Sequence, residues 1–244
     1  MKILTLINCI ISSSEKYPEI IEKPSSGIYT CINAYKYHIV RKHLDTFARM
    51  DGIFVDGIFM CWLIKLLWRK KIKRLSFDMT SMAKDVFRLA EKEKKSIYLI
   101  GDEDSKISEA VKTIKFAYPK LEIVGWHSGF FKNIEDRNNE INKIIYLSPN
   151  YTIVGMGGLI QEQFEIDLKE NGYTGIVFTC GGFFHQILGK MDYYPNWVNK
   201  FNLRMPYRLI KEKNYKRLWH VLFTFPIYFT IDTFSTKISK NKHL

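Results

Sequence analysis

Two aspartates, a glycine-rich turn and the two polar side chains behind it have the types and spacing that suit chemistry. Asp56 follows the apolar run Ile53-Phe54-Val55 and precedes Gly57, where a strand hands the chain to a turn. A carboxylate there could take a proton from an attacking hydroxyl. The same position also suits a residue capping a helix that begins near Ile58. Gly155-Met156-Gly157-Gly158 follows Tyr151-Thr152-Ile153-Val154 and runs into a helix-like segment. Backbone N–H groups of such a turn can approach a phosphate closely, and the helix N-terminus adds about half a positive charge. Gln161 and Glu162 fall in the first turn of that helix, where Glu162 would suit a sugar hydroxyl and repel a phosphate. Asp78 lies behind Lys73-Arg74 and ahead of Thr80 and Ser81, so it either orients a ligand hydroxyl or belongs to a helix cap. His127, between Trp126 and Phe131, is a polar cleft residue or a packing residue.

These groups need elements to position them. Apolar residues at i, i+3, i+4 spacing predict helices along Ile39, Val40, His43, Leu44 and Phe47, along Met79 to Ala90, and along Ile107 to Tyr118. Short apolar runs predict strands at Ile53 to Val55, Ile97 to Ile100, Leu121 to Val124, Tyr151 to Val154 and Gly175 to Thr179. Strands alternating with helices give an α/β fold, a mostly parallel Rossmann-like sheet with helices on both faces. Ligands gather at the carboxyl ends of strands in such sheets. That rule selects Asn33, Asp56-Gly57, Gly101-Asp102, His127-Ser128-Gly129, Gly155 to Gly158 and Gly181-Gly182. Glycine recurs at five of these six places, which predicts one shared cleft.

The chain's 244 residues, 46% hydrophobic, can bury a full core. Four well-separated cysteines without a C-x-x-C pair read as reduced thiols. The apolar stretch after Met1-Lys2 is short and is expected to end at Ser12-Ser13-Ser14-Glu15, which is no signal peptide. Of the net charge of +12, +8 lies in residues 200–244. A division follows: an α/β body over 1–192 and a basic, aromatic, helical appendage over 193–244. Such an appendage suits an anionic partner. Its apolar run from Val221 to Phe229 is too short to span a bilayer and is interrupted by Pro226. It either lies on a membrane surface or packs as a terminal helix on the body. Tyr215, Trp219 and Phe223 could instead stack on single-stranded nucleic acid.

No H-E-x-x-H, G-x-S-x-G or Walker motif is present, and Ile160 breaks the G-x-G-x-x-G dinucleotide pattern. Taken in order, Asn33-Ala34, Val55-Asp56-Gly57, Val124 to Phe131, Val154 to Gly157 with Gln161-Glu162, and Gly181-Gly182-Phe183 form a series. Pro195-x-Trp197, Tyr207-Arg208-Leu209 and Arg217-Leu218-Trp219 continue it. The series resembles the WecG/TagA/CpsF family of bacterial glycosyltransferases, glycosyltransferase family 26.

The resemblance implies an inverting, metal-independent transfer of a hexose, often of N-acetylmannosamine type, from a UDP-sugar to a lipid diphosphate-linked acceptor. The setting would be the cytoplasmic face of the membrane, in the synthesis of teichoic acid, common antigen or capsule. No cofactor is implied. The implied partners are the UDP-sugar, a polyprenyl-diphosphate-linked glycan, an anionic membrane surface and, in some relatives, further copies of the chain. Nucleic acid is not among them, and a nucleotide-sugar binder without catalysis is the alternative. The family's base falls on Asp56, its loop glutamine on Gln161 and its threonine on Thr30. Its diphosphate-clamping arginines fall on Arg208 and Arg217. Asn33, Lys73, Arg74, Asp78, His127, Gly155, Gly157, Glu162, Gly181 and Gly182 complete the expected binding set. The chain departs from the family loop G-x-G-A-P-K-Q-E with Gly158, Leu159 and Ile160, which removes a lysine. Lys73 stands where the family has an arginine, with Arg74 next to it, and lysine cannot grip phosphate in a bidentate way. Arg204 and Met205 replace a common glutamate and tryptophan.

Overall fold

The structure, a computed structural model, describes residues 3–22, 26–191, 195–200, 203, 204, 207 and 218–241. Six strands form one all-parallel sheet in the order β2-β1-β6-β5-β3-β4. They are β1 (Gly27–Ile32), β2 (Gly52–Val55), β3 (Ser96–Gly101), β4 (Glu122–His127), β5 (Tyr151–Gly155) and β6 (Ile176–Thr179). The short runs of β2, β5 and β6 are buried on both faces, which is why they read as continuous apolar stretches without alternation.

One face is covered by α5 (Met82–Glu93), α6 (Asp104–Ala117) and α9 (Phe183–Gln186), around Phe87, Phe178 and Phe183. The other carries α2 (Tyr37–Lys42), α3 (Leu44–Ala48), α4 (Ile58–Trp68), α7 (Ile134–Leu147) and α8 (Ile160–Glu170). A short helix, α10 (Asn196–Lys200), precedes the C-terminal segment. There a π-helical turn, His220–Thr224, leads into α11 (Phe225–Asn241). The inner face of α11 joins the core: Phe225 and Phe229 each lie with ring centroids 5.3 Å from that of Tyr37.

The serines that end the N-terminal apolar stretch lie inside a helix, because α1 (Ile3–Glu22) runs through them. Ser13 donates to the Cys9 carbonyl within the helix, and its oxygen accepts the Ile53 N–H of β2 at 3.0 Å. The helix thereby covers an otherwise open sheet edge. The stripe from Ile39 to Phe47 is two short helices broken at His43. Strand β4 runs on to His127, three residues past the apolar run.

Candidate active site

The carboxyl ends of β1, β2 and β6 and the loop after β5 surround a cleft of about 610 Å³. Its wall includes Asn33, Asp56, Arg74, Asp78, Gln161 and the Gly181-Gly182 pair. Asp56 is the first residue beyond β2, held by its own N–H to the Ile32 carbonyl at 2.8 Å. It does not cap α4. Gly57 (φ +104°) takes the cap position without any side-chain cap, and the Asp56 carboxylate instead accepts from Arg74 Nη2 at 2.9 Å. The Asp56 side chain is 31% exposed, so one side of the carboxylate stays open to the cleft.

Arg74 is shared. The same nitrogen donates to Asp78 Oδ2 at 2.6 Å and to Ser76 Oγ at 2.6 Å, while Nη1 donates to Thr80 Oγ1. Burial opposes its charge, but Asp56 and Asp78 outweigh burial and raise its pKa. Burial likewise pushes Asp78 up, yet Arg74, Ser76 and Thr80 more than offset this and hold its carboxyl below the ordinary range. Arg204 adds a cation 3.6 Å from the same Asp78 oxygen. The result is a fixed charge cluster that aims Asp56 and leaves its outward oxygen available.

A second, buried network holds the glycine loop. Glu162 is fully buried and does not face the cleft. Its Oε1 accepts from Thr30 Oγ1 at 2.6 Å, Lys36 Nζ at 2.5 Å and Gln161 Nε2 at 3.0 Å; its Oε2 accepts the Leu159 N–H at 2.8 Å. Burial raises the Glu162 pKa, but Lys36 and these donors prevail and lower it. Glu162 therefore ties the loop to β1, and Thr30 with it. Lys36, placed by the turn in which Asn33 Oδ1 accepts its N–H at 2.9 Å, is the site residue that sequence reasoning missed. It lines the cleft and sets an ammonium beneath the glycine loop through Glu162. Leu159 has φ +67°, a conformation that no proline can adopt. Gln161 Oε1 is buried without a donor among the described residues.

The remaining expected residues lie elsewhere. Gly155 and Gly157 shape the loop, although Gly158 is the one that lines the cleft. The side chain of Lys73 is exposed and its backbone N–H donates to Ser14. His127 ends β4 at the far edge of the sheet, with β3 and β5 between it and β6, stacked on Phe131 at 5.5 Å between centroids. Arg208 and Arg217 lie outside the described residues. Cys31 and Cys180 sit on the cleft wall, but burial pushes the Cys31 thiol up to about 12 and Cys180 well up, which leaves no thiolate nucleophile.

A doubly covered parallel sheet with a carboxylate and a glycine loop at its strand ends defines a Rossmann-like α/β protein with its cleft at the carboxyl edge of the sheet. Residues 11–243 match the Glycosyl transferase WecG/TagA/CpsF family, and the chain belongs to that family. It is 32% identical, over 88% of its length and 91% of the relative's, to a UDP-Gal:alpha-D-GlcNAc-diphosphoundecaprenol beta-1,4-galactosyltransferase of Shigella boydii. It is 27% identical to an N-acetylglucosaminyldiphosphoundecaprenol N-acetyl-beta-D-mannosaminyltransferase of Bacillus subtilis (strain 168), over 70% of this chain and 64% of that one.

Proposed function

We propose that this protein is an inverting glycosyltransferase that moves a hexose from a UDP-sugar to N-acetylglucosamine carried on a polyprenyl diphosphate. The observation that carries the reading is the meeting of Asp56, Asn33, Gln161, Gly158 and Gly181-Gly182 in one cleft. Asp56 takes the proton of the acceptor hydroxyl as its oxygen attacks the anomeric carbon. The bond to UDP breaks, and the electron pair leaves on the diphosphate. Backbone N–H groups of the glycine turns, with Lys36 and the basic residues of the C-terminal segment, stabilise that charge. One cationic hydrogen bond contributes about 1.5–3 kcal/mol, so several together offset a substantial part of it. Gln161 Oε1 gains a donor from a sugar hydroxyl, which removes the roughly 1–3 kcal/mol cost of a buried acceptor left alone.

UDP-galactose is α-linked, and the Shigella relative is named for a β product, which supports inversion. The same relative is more similar, over more of the chain, than the mannosaminyltransferase, and so favours galactose over N-acetylmannosamine. Residues 193–244 serve as the acceptor-facing part, and the enzyme works as a peripheral protein on the inner face of the membrane. No helix among the described residues is long and apolar enough to cross one. The experiment is a comparison of UDP-galactose with UDP-N-acetylmannosamine on a GlcNAc-diphospholipid, read by product mass. Addition of one hexose from UDP-galactose is expected. Transfer from neither donor, with no release of UDP, would overturn the reading.

A further inference from the structure

The outer face of α11 carries Ile227, Ile231, Phe234 and Ile238, spaced i, i+4, i+7 and i+11 along one line of the helix, and each is more than half exposed. The inner face is already used by Phe225 and Phe229, and Asp232 pairs with Arg41. A helix apolar on both faces has to be covered on both. Beside it runs α4, joined by Trp68 Nε1 donating to Thr233 Oγ1 at 3.1 Å and by Lys237 Nζ donating to the Leu67 carbonyl at 2.7 Å. From α4, Trp62 and Leu66 project at 62% and 72% exposure. Trp62 also lines the mouth of the cleft, as does Leu222 of the π-helical turn.

Charge decides what covers this face. Lys65, Arg69, Lys70, Lys71 and Lys73 are all exposed, and no acidic residue occurs between Gly57 and Phe77. Among the described residues none of the five has an ion-pair partner. A second copy of the chain docked here by two-fold symmetry would set these cations near their own copies. A bilayer rich in anionic headgroups meets both parts at once: the apolar rows enter the acyl boundary and the cations meet phosphate.

We propose that α4, the basic turn 69–73 and α11 together form a bilayer-docking face that seats the cleft mouth on an anionic lipid surface. The lipid contact is thereby assigned to a helix in the middle of the chain as well as to its basic end. The transferase reading explains why the mouth and this face coincide, but the docking itself can be measured without it.

The test is flotation of the full chain with phosphatidylglycerol-containing vesicles and with neutral phosphatidylcholine vesicles, alongside transfer to a short-chain, water-soluble GlcNAc-diphosphate acceptor. The wild type is expected to float only with the anionic vesicles. Lys70→Glu with Lys71→Glu should weaken that binding by at least about tenfold. Ile231→Asp with Phe234→Asp should abolish it, and the Lys70→Glu, Lys71→Glu variant should keep transfer to the soluble acceptor. Wild-type-like flotation of both variants would overturn the proposal. So would a stable dimer by light scattering that Ile231→Asp splits without changing flotation. Anionic-selective flotation with no transfer to any acceptor would support the docking face and overturn only the transferase reading.

Discussion

The two halves of the sheet's carboxyl edge use the same residue type for opposite purposes. At β1, β2 and β6, Gly57, Gly181 and Gly182 have open space where a side chain would stand, and the strand ends part to form the cleft. At β3, β4 and β5 the strand ends are laced together: the Asp102 N–H donates to the Gly155 carbonyl at 3.1 Å, and the Gly129 N–H donates to the Asp102 carbonyl at 2.9 Å. A Cβ on Gly101 would stand 2.3 Å from the Gly155 oxygen. Glycine after a strand thus marks open space beside the cleft in one half and close approach of backbone in the other. The expectation of one shared cleft holds for four of the six places, the β5 loop joining through Gly158, and fails at Gly101-Asp102 and at His127 to Gly129.

Adding a methyl group to each half breaks the comparison most sharply. Gly101→Ala forces backbone apart at φ +148° and should cost about 3 kcal/mol of stability, read by chemical unfolding. A variant as stable as the wild type would show that the closed half is not closed. Gly182→Ala forms the matching test at the small end of the scale. It should change stability by less than about 0.5 kcal/mol and act instead by raising KM for the donor.

Much of the sheet was legible in the sequence, because β2, β3, β5 and β6 are apolar runs that burial on both faces requires, and the part-exposed edge strand β4 keeps an apolar run of its own. Strand β1 was the exception: Gly27-Ile28-Tyr29-Thr30-Cys31-Ile32 mixes polar and apolar residues because Thr30 belongs to the buried Glu162 network. Asp56 was legible from its position after a strand. Glu162 was placed on the correct turn of α8, but its direction was not readable. A glutamate in the first turn faces a ligand or the core depending on a partner 126 residues away in sequence, Lys36. Lys36 itself left only a weak trace, the Asn33-x-x-Lys36 turn. Of the two readings of the C-terminal helix, packing on the body holds for its inner face, while its outer face is apolar and exposed.

Between the two extremes lie the buried carboxylates behind the cleft. Glu165, next along α8, is fully buried with neither oxygen paired among the described residues. Burial, reinforced by Glu162, raises its pKa well above the usual value. Its cost is therefore absent at low pH and grows as pH rises through the ordinary carboxylate range. Glu165→Leu should stabilise the fold by about 1–3 kcal/mol at pH 8 and by less at pH 5, measured by thermal unfolding at both. A loss of stability at pH 8 would contradict this. Asp78 has the opposite sign. Its lowered pKa gives stability that is fully present above the unfolded-state pKa and lost as pH falls through the folded one. The gap between wild type and Asp78→Asn should accordingly narrow as pH falls from 7 toward 3. A gap that stayed constant over that range would remove the charge from the explanation.

The most direct measurement is the turnover of Asp56→Asn with a UDP-hexose and a GlcNAc-diphospholipid. Asparagine keeps an acceptor for Arg74 but cannot take the hydroxyl proton, so kcat should fall by at least about a hundredfold while donor binding is unchanged. Turnover within a few-fold of wild type would contradict the assignment of Asp56 as the base.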